Sequence, residues 1–211
     1  MHNKIDHFAI GAADLDQGVA ALQSALGVTV PRGGKHAAMS THNCVMQAGS
    51  ESFLEIIAID PEAPPPGRAR WFTLDEAGTQ NRLAQRPRAL CWVVGTDDLD
   101  AIVARSPVDL GEVVPFLRGD RTWRLTVPKD GSLPEAGLLP AFIEWSPGPH
   151  PSSGMQDLGV TLHSVQLSHP DPQWLTGVLK QLAVDDLAEV SEGPRAVSFA
   201  LDTPMGRVTL D

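Results

Sequence analysis

Tyrosine is absent from the 211 residues, and cysteine occurs only at Cys44 and Cys91. Two isolated cysteines make neither a disulfide framework nor a zinc ribbon, so reduced thiols and a cytoplasmic location are expected. No apolar run approaches the roughly 18 residues that span a bilayer, which argues against a membrane partner. The first residues carry one Lys and pass straight into a strand pattern, so no signal peptide is expected. Basic residues are scarce: 16 Lys and Arg stand against 26 Asp and Glu, a formal charge of −10. Binding a nucleic-acid backbone needs a basic face, so nucleic acid is excluded as a partner. The acidity serves solubility, and a 42% hydrophobic content suffices for one large core or two small ones.

What is present is a repeat. Ile5-Asp6-His7-Phe8-Ala9-Ile10-Gly11 followed by Asp14-Leu15-Asp16 is echoed by Leu90-Cys91-Trp92-Val93-Val94-Gly95 followed by Asp98-Leu99-Asp100. A looser third copy runs from Leu162-His163 to Asp171. Aligned on the closing Asp residues, the polar strand position reads His7, Cys91 and His163. Each copy opens a unit of about fifty residues.

Unit one reads as a strand at 4–10, then a helix capped by Asp14 with Leu15, Val19, Leu22 and Leu26 on one face and Gly27 at its end. A short strand from Val28 breaks into a Gly33-Gly34 turn, and strands at 41–48 and 52–59 follow. The proline-rich stretch from Pro61 cannot be helix or central strand, and 61–88 is a connector containing a helix near 75–85. Unit two repeats the scheme over 89–146. A Pro/Gly/Ser linker follows, and 155–211 supplies a third unit whose helix starts at Asp171-Pro172.

One helix per four strands cannot build a doubly wound parallel sheet. A βαβββ sheet has one helix-covered face and one open face, and two side by side curve into a cup. This pattern resembles the vicinal-oxygen-chelate superfamily of glyoxalase I, extradiol dioxygenases and bleomycin-resistance proteins. More narrowly, the chain resembles the glyoxalase-like domain family in five stretches. These are Asp6-His7 with Asp14-Leu15-Asp16, Gly33-Gly34-Lys35-His36 with Thr41-His42-Asn43, Leu54 through Asp60, Pro66 through Phe72, and Phe142-Ile143-Glu144-Trp145 with Pro149-His150-Pro151. The resemblance implies an α+β fold: residues 1–150 hold paired modules (1–60 and 89–146) in a cup-shaped half-barrel sheet with helices outside, and 155–211 a third βαβββ-like module. One scaffold of this kind hosts many chemistries.

In the resembled superfamily, the first and last strands of each module ligate a divalent metal. The matching positions here are His7, Glu55, Cys91 and Glu144, with Glu144 aligned to Glu55 through Phe142-Ile143-Glu144-Trp145 against Phe53-Leu54-Glu55-Ile56. Imidazole and carboxylate donors suit Mn, Fe, Ni or Zn, and Glu55 and Glu144 are the candidate proton shuttles. Cys91 departs from the His or Gln usual there; a small thiol in a strand is more often plain core. No organic cofactor is indicated. His36, His42 and Asn43 beside the glycine pair, Arg70 and Trp71 in the connector, and His150 between prolines are candidate substrate-binding residues.

The expected function is a divalent-metal-assisted lyase, isomerase or dioxygenase acting on a small oxygenated metabolite. The alternative is a metal-free binding or sequestering protein of the bleomycin-resistance type, and a ligand-sensing module is a third reading. His163 has only Thr209 and Leu210 as final-strand partners, so the third unit reads as structural. As an unpaired module it makes a homodimer the expected assembly.

Overall fold

The computed structural model describes residues 2–211. Module one comprises β1 (Lys4–Gly11), α1 (Leu15–Leu26), β2 (Arg32–His36), β3 (Thr41–Gly49) and β4 (Ser52–Ile59). The connector contributes α2 (Ala77–Gln85). Module two comprises β5 (Arg88–Gly95), α3 (Leu99–Arg105), β6 (Glu112–Arg118), β7 (Arg121–Val127) and β8 (Ala141–Trp145). The third unit holds β9 (Thr161–His169), α4 (Pro172–Leu182), β10 (Ala188–Glu192), β11 (Ala196–Thr203) and β12 (Gly206–Leu210).

The three repeated aspartates do the same job. Asp14 accepts from the Gln17 amide, Asp98 from Ala101 and Asp171 from Trp174, each capping a helix start. These bonds satisfy amide donors that the helix itself cannot. The glycine pair departs from expectation: Gly33 and Gly34 lie inside β2, where the register against β3 slips between Arg32 and Lys35. A bulge, not a turn, uses the two glycines.

Eight strands form one mixed sheet in the order β2-β3-β4-β1-β5-β8-β7-β6. The modules join through β1 and β5, which run antiparallel, and each first strand lies parallel to its module's last, β1 with β4 and β5 with β8. Alternation along the strands sorts the apolar residues onto two faces. Phe8, Ile10, Ile56, Trp92, Val94 and Phe142 pack with α1 and α3 residues on the convex face. Ala9, Ile57, Cys91, Val93, Leu125 and Ile143 form the concave face, covered by Trp71, Phe72 and Leu74 of the connector and Leu83 of α2.

The third unit keeps the strand-helix-strand-strand-strand sequence but not the module's topology. Its order is β10-β9-β11-β12. In module one, β1 has β4 parallel on one side and β5 of the other module antiparallel on the other. Here β10 lies parallel to β9, and β11 of the same unit takes the antiparallel place. Both sides of β9 are therefore filled within the chain. The unit's apolar side joins the convex core, with the Phe8 and Phe199 rings 4.7 Å apart. His163 lies exposed, 3.4 Å from Asp202.

Candidate functional site

The site is built around Glu55, whose β4 position faces the concave side opposite Ala9 of β1. Its carboxylate is buried, at 5% exposure. The Asn43 side-chain amide donates to its Oε1 at 2.6 Å. His7 Nε2 lies 3.8 Å from Oε2, and His36 Nε2 lies 4.0 Å from Oε1. Asn43 is itself fixed, because its Oδ1 accepts from the Gly34 amide at 2.8 Å. A Cβ on Gly33 would fall 2.3 Å from that oxygen, so the close approach requires glycine.

His7 is held by its sequence neighbour. Successive strand residues normally point to opposite faces, but the β1–β5 register slips between Ile5 and His7, leaving Asp6 as the extra residue. This bulge lets Asp6 reach the same side. Asp6 Oδ1 lies 2.6 Å from His7 Nδ1. Oδ2 accepts from Trp145 Nε1 at 2.7 Å and lies 2.9 Å from His150 Nε2. Burial pushes the Asp6 carboxyl up, but the bonds to His150 and His7 outweigh it and bring it down to about 2. With His7 Nδ1 committed to this carboxylate, Nε2 is the nitrogen turned to Glu55.

The His36 side chain is largely covered, with Nδ1 3.1 Å from the Thr41 hydroxyl. Burial lowers its pKa to about 4, the Glu55 charge opposing and Arg118 reinforcing the shift, so the ring is neutral at pH 7. The unfolded chain binds this proton near pH 6.5 and the folded chain only near 4. Folding stability from His36 is therefore complete above about pH 6.5 and lost as the pH falls towards 4. Urea titrations at pH 7 and pH 4.5 should differ less in His36→Gln than in wild type.

Glu55, His7, His36 and Asn43 line a small cavity of about 50 Å³ together with Phe53, Trp71, Phe72, Trp123, Trp145 and Arg118. The Phe53 and His7 rings stack at 4.6 Å. Arg118 Nη1 lies 3.4 Å from His36 Nε2, beside Gly34, and no carboxylate lies within ion-pair reach of it among the described residues. Trp71 is buried, and its indole N–H has no acceptor among the described residues. A guanidinium without a carboxylate favours a ligand oxygen.

Several expected residues stand elsewhere. Glu144 does not reach the cup: β8 turns Ile143 to the concave face and Glu144 to the convex one, where it takes Arg124 and the Leu99 amide of α3. The reason is register. Glu55 pairs with Ala9, whose counterpart in module two is Val93, and Val93 pairs with Ala141. The true counterpart of Glu55 is thus Ala141, three residues from Glu144, and an odd offset reverses the face. His42 also lies on the opposite face from Asn43, near Asp60 and Lys35. Arg70 pins the connector, pairing with Asp75 at 2.6 Å. Cys91 is fully buried, and burial first, then the Glu55 charge, raises its pKa well above the usual thiol value. His36, Asn43 and Trp71 line the cavity, whereas His150 lines a groove beside it.

The four-ligand metal site implied by the resemblance does not assemble here. Of its positions, two carry good donors, His7 and Glu55; one is a protonated buried thiol and one is alanine. Among the described residues, no three His, Cys, Asp or Glu side chains converge as metal ligands.

An eight-stranded cup made of two β1-α-β-β-β modules, with its polar groups on the concave side, is the vicinal-oxygen-chelate fold. Within it, the chain belongs to the glyoxalase-like domain family, whose profile matches residues 5–183. A hypothetical protein from Staphylococcus aureus shares the fold with a TM-score of 0.63 and 15% identity, over 99% of this chain and 84% of that one. A mutant 4-hydroxymandelate synthase from Streptomyces coelicolor aligns with a TM-score of 0.50 and 15% identity, over 99% of this chain and 62% of its own. A methylmalonyl-CoA epimerase from Streptomyces coelicolor aligns with a TM-score of 0.41 and 20% identity, over 68% of this chain and 98% of its own. No curated protein sequence matches the chain.

Proposed function

We propose that the chain is an enzyme that moves a proton at the carbon beside a carbonyl in a small metabolite, with Glu55 as the base. The observation that carries this reading is the Glu55 carboxylate: buried, tethered by Asn43, flanked by two imidazoles and facing a cavity. Glu55 takes the proton, the C–H electron pair becomes the C=C of an enolate, and the carbonyl oxygen becomes an oxyanion. A carboxylate is a weak base for such a carbon, so the oxyanion must be stabilised as it forms. Arg118 is the donor at hand. His7 Nε2, steadied through Asp6, is placed to help return the proton.

This half-reaction starts isomerisation, epimerisation and elimination alike, which keeps the reaction within the isomerase and lyase classes. No step is assigned to a metal, because the residues at the four ligand positions do not make a site for one. The test is proton exchange: 2-oxo acids incubated with the protein in D₂O and followed by NMR. Exchange at the carbon beside the keto group should exceed the buffer rate, and Arg118→Ala should slow it by about 10²-fold, as loss of an oxyanion donor does. Tight binding with no exchange would instead make the chain a sequestering protein.

A further inference from the structure

The cavity at Glu55 is too small for all but a few heavy atoms, about 50 Å³ against the roughly 300–1,000 Å³ of ordinary ligand pockets. Beside it, across the ends of β5 and β8, runs a groove of about 1100 Å³. The two spaces share Trp123 and Trp145 as walls. Asp6 links them, one oxygen bonded to His7 of the cavity and the other to Trp145 and His150 of the groove.

The groove is apolar where it is deep, with Phe116, Trp123, Ile143 and Trp145, and Leu117 extends its wall at the β6–β7 turn. Leu117 is 71% exposed on that wall, a large apolar surface next to the aromatic lining. The Lys and Arg side chains of the groove, and His150, are already engaged. Lys4 pairs with Glu51 at 2.9 Å, Arg124 pairs with Glu144 and Asp100, and His150 bonds Asp6. Among the described residues lining the groove, no Lys or Arg is left for a phosphate or a second carboxylate.

We infer that the groove is the second half of the substrate site, and that the substrate joins an oxyanion-bearing head at Glu55 to an uncharged apolar or aromatic tail lying on Trp123 and Trp145. The head rests on the proton-transfer reading above; the tail rests on the groove alone. Engaged cations disfavour phosphorylated or nucleotide-bearing tails, and paired indoles favour flat or aliphatic ones.

Calorimetric titration with pyruvate, 2-oxobutyrate, 2-oxohexanoate and phenylpyruvate tests this. Affinity should rise about threefold to fourfold for each buried methylene, with phenylpyruvate also binding more tightly than pyruvate. Leu117→Ser, uncharged and at an exposed position outside the cavity, should flatten the series without changing pyruvate binding. A flat series in wild type, or one that Leu117→Ser leaves unchanged, overturns the tail site; if Arg118→Ala still weakens every acid, the reading of the head survives. Failure of all four acids to bind overturns both.

Discussion

Glu55→Gln should abolish proton exchange while leaving the protein folded. The expected loss is about 10³-fold, within the 10²–10⁴ that a positioned base contributes. The substitution keeps the side chain's size and one oxygen for the Asn43 amide, which donates to Oε1 at 2.6 Å in the wild type. It removes the charge that faces His7 and His36. Thermal unfolding should therefore shift by a few degrees at most, and 2-oxo acid affinity by less than about tenfold, since Arg118 remains. NMR exchange rates and a melting curve on the same sample separate a lost base from a lost fold. Exchange retained within a factor of two would remove Glu55 from the chemistry.

Asp6→Ala should give the largest loss of stability among single substitutions at the site. The buried carboxylate serves His7, His150 and Trp145 together. Removing it leaves three groups without their acceptor inside the protein, at a cost of about 3–5 kcal/mol. Asp6→Asn keeps one acceptor oxygen and should cost roughly half as much. Urea midpoints should fall with little change in slope. The same carboxylate sets an acid limit. Its folded pKa of about 2 lies below the unfolded value, so its contribution is complete above the unfolded pKa and lost as the pH falls through 2. A cost below about 1 kcal/mol would mean that water replaces the carboxylate, and that His7 is not fixed by it.

The repeat made the cup legible in the sequence. The echo of Asp14-Leu15-Asp16 in Asp98-Leu99-Asp100 marks two helix caps, and the strands before them pair at the centre of the sheet. The resemblance singled out His7 and Glu55 on the first and last strands of module one, and the fold sets them 3.8 Å apart. Glu144 misled, because Phe142-Ile143-Glu144-Trp145 looks like Phe53-Leu54-Glu55-Ile56 as a string, while pairing register alone decides which residues share a face. The third unit misled in the same way: its elements come in module order, but its sheet is wound differently. Asp6 was hidden by a bulge that overrides strand alternation. Arg118 carried no signal, since an arginine beside a Gly119-Asp120 turn is ordinary surface until folding brings β6 opposite Gly34.

The connector shows how packing adds what a pattern cannot. Its prolines exclude regular structure, and Arg70-Trp71-Phe72 reads equally well as surface loop or lid. The structure buries Trp71 and Phe72 over the concave face and uses Arg70 with Asp75 as a fastening.

The central claim is that Glu55 carries out proton transfer without a metal held at the family's four ligand positions. The direct measurement is the exchange rate of 2-oxo acids in D₂O before and after exhaustive chelation, with Mn²⁺, Ni²⁺ and Zn²⁺ then added back. The account predicts the same rate in all samples, abolished only in Glu55→Gln. Loss of exchange on chelation, restored by one equivalent of a single metal, would contradict it.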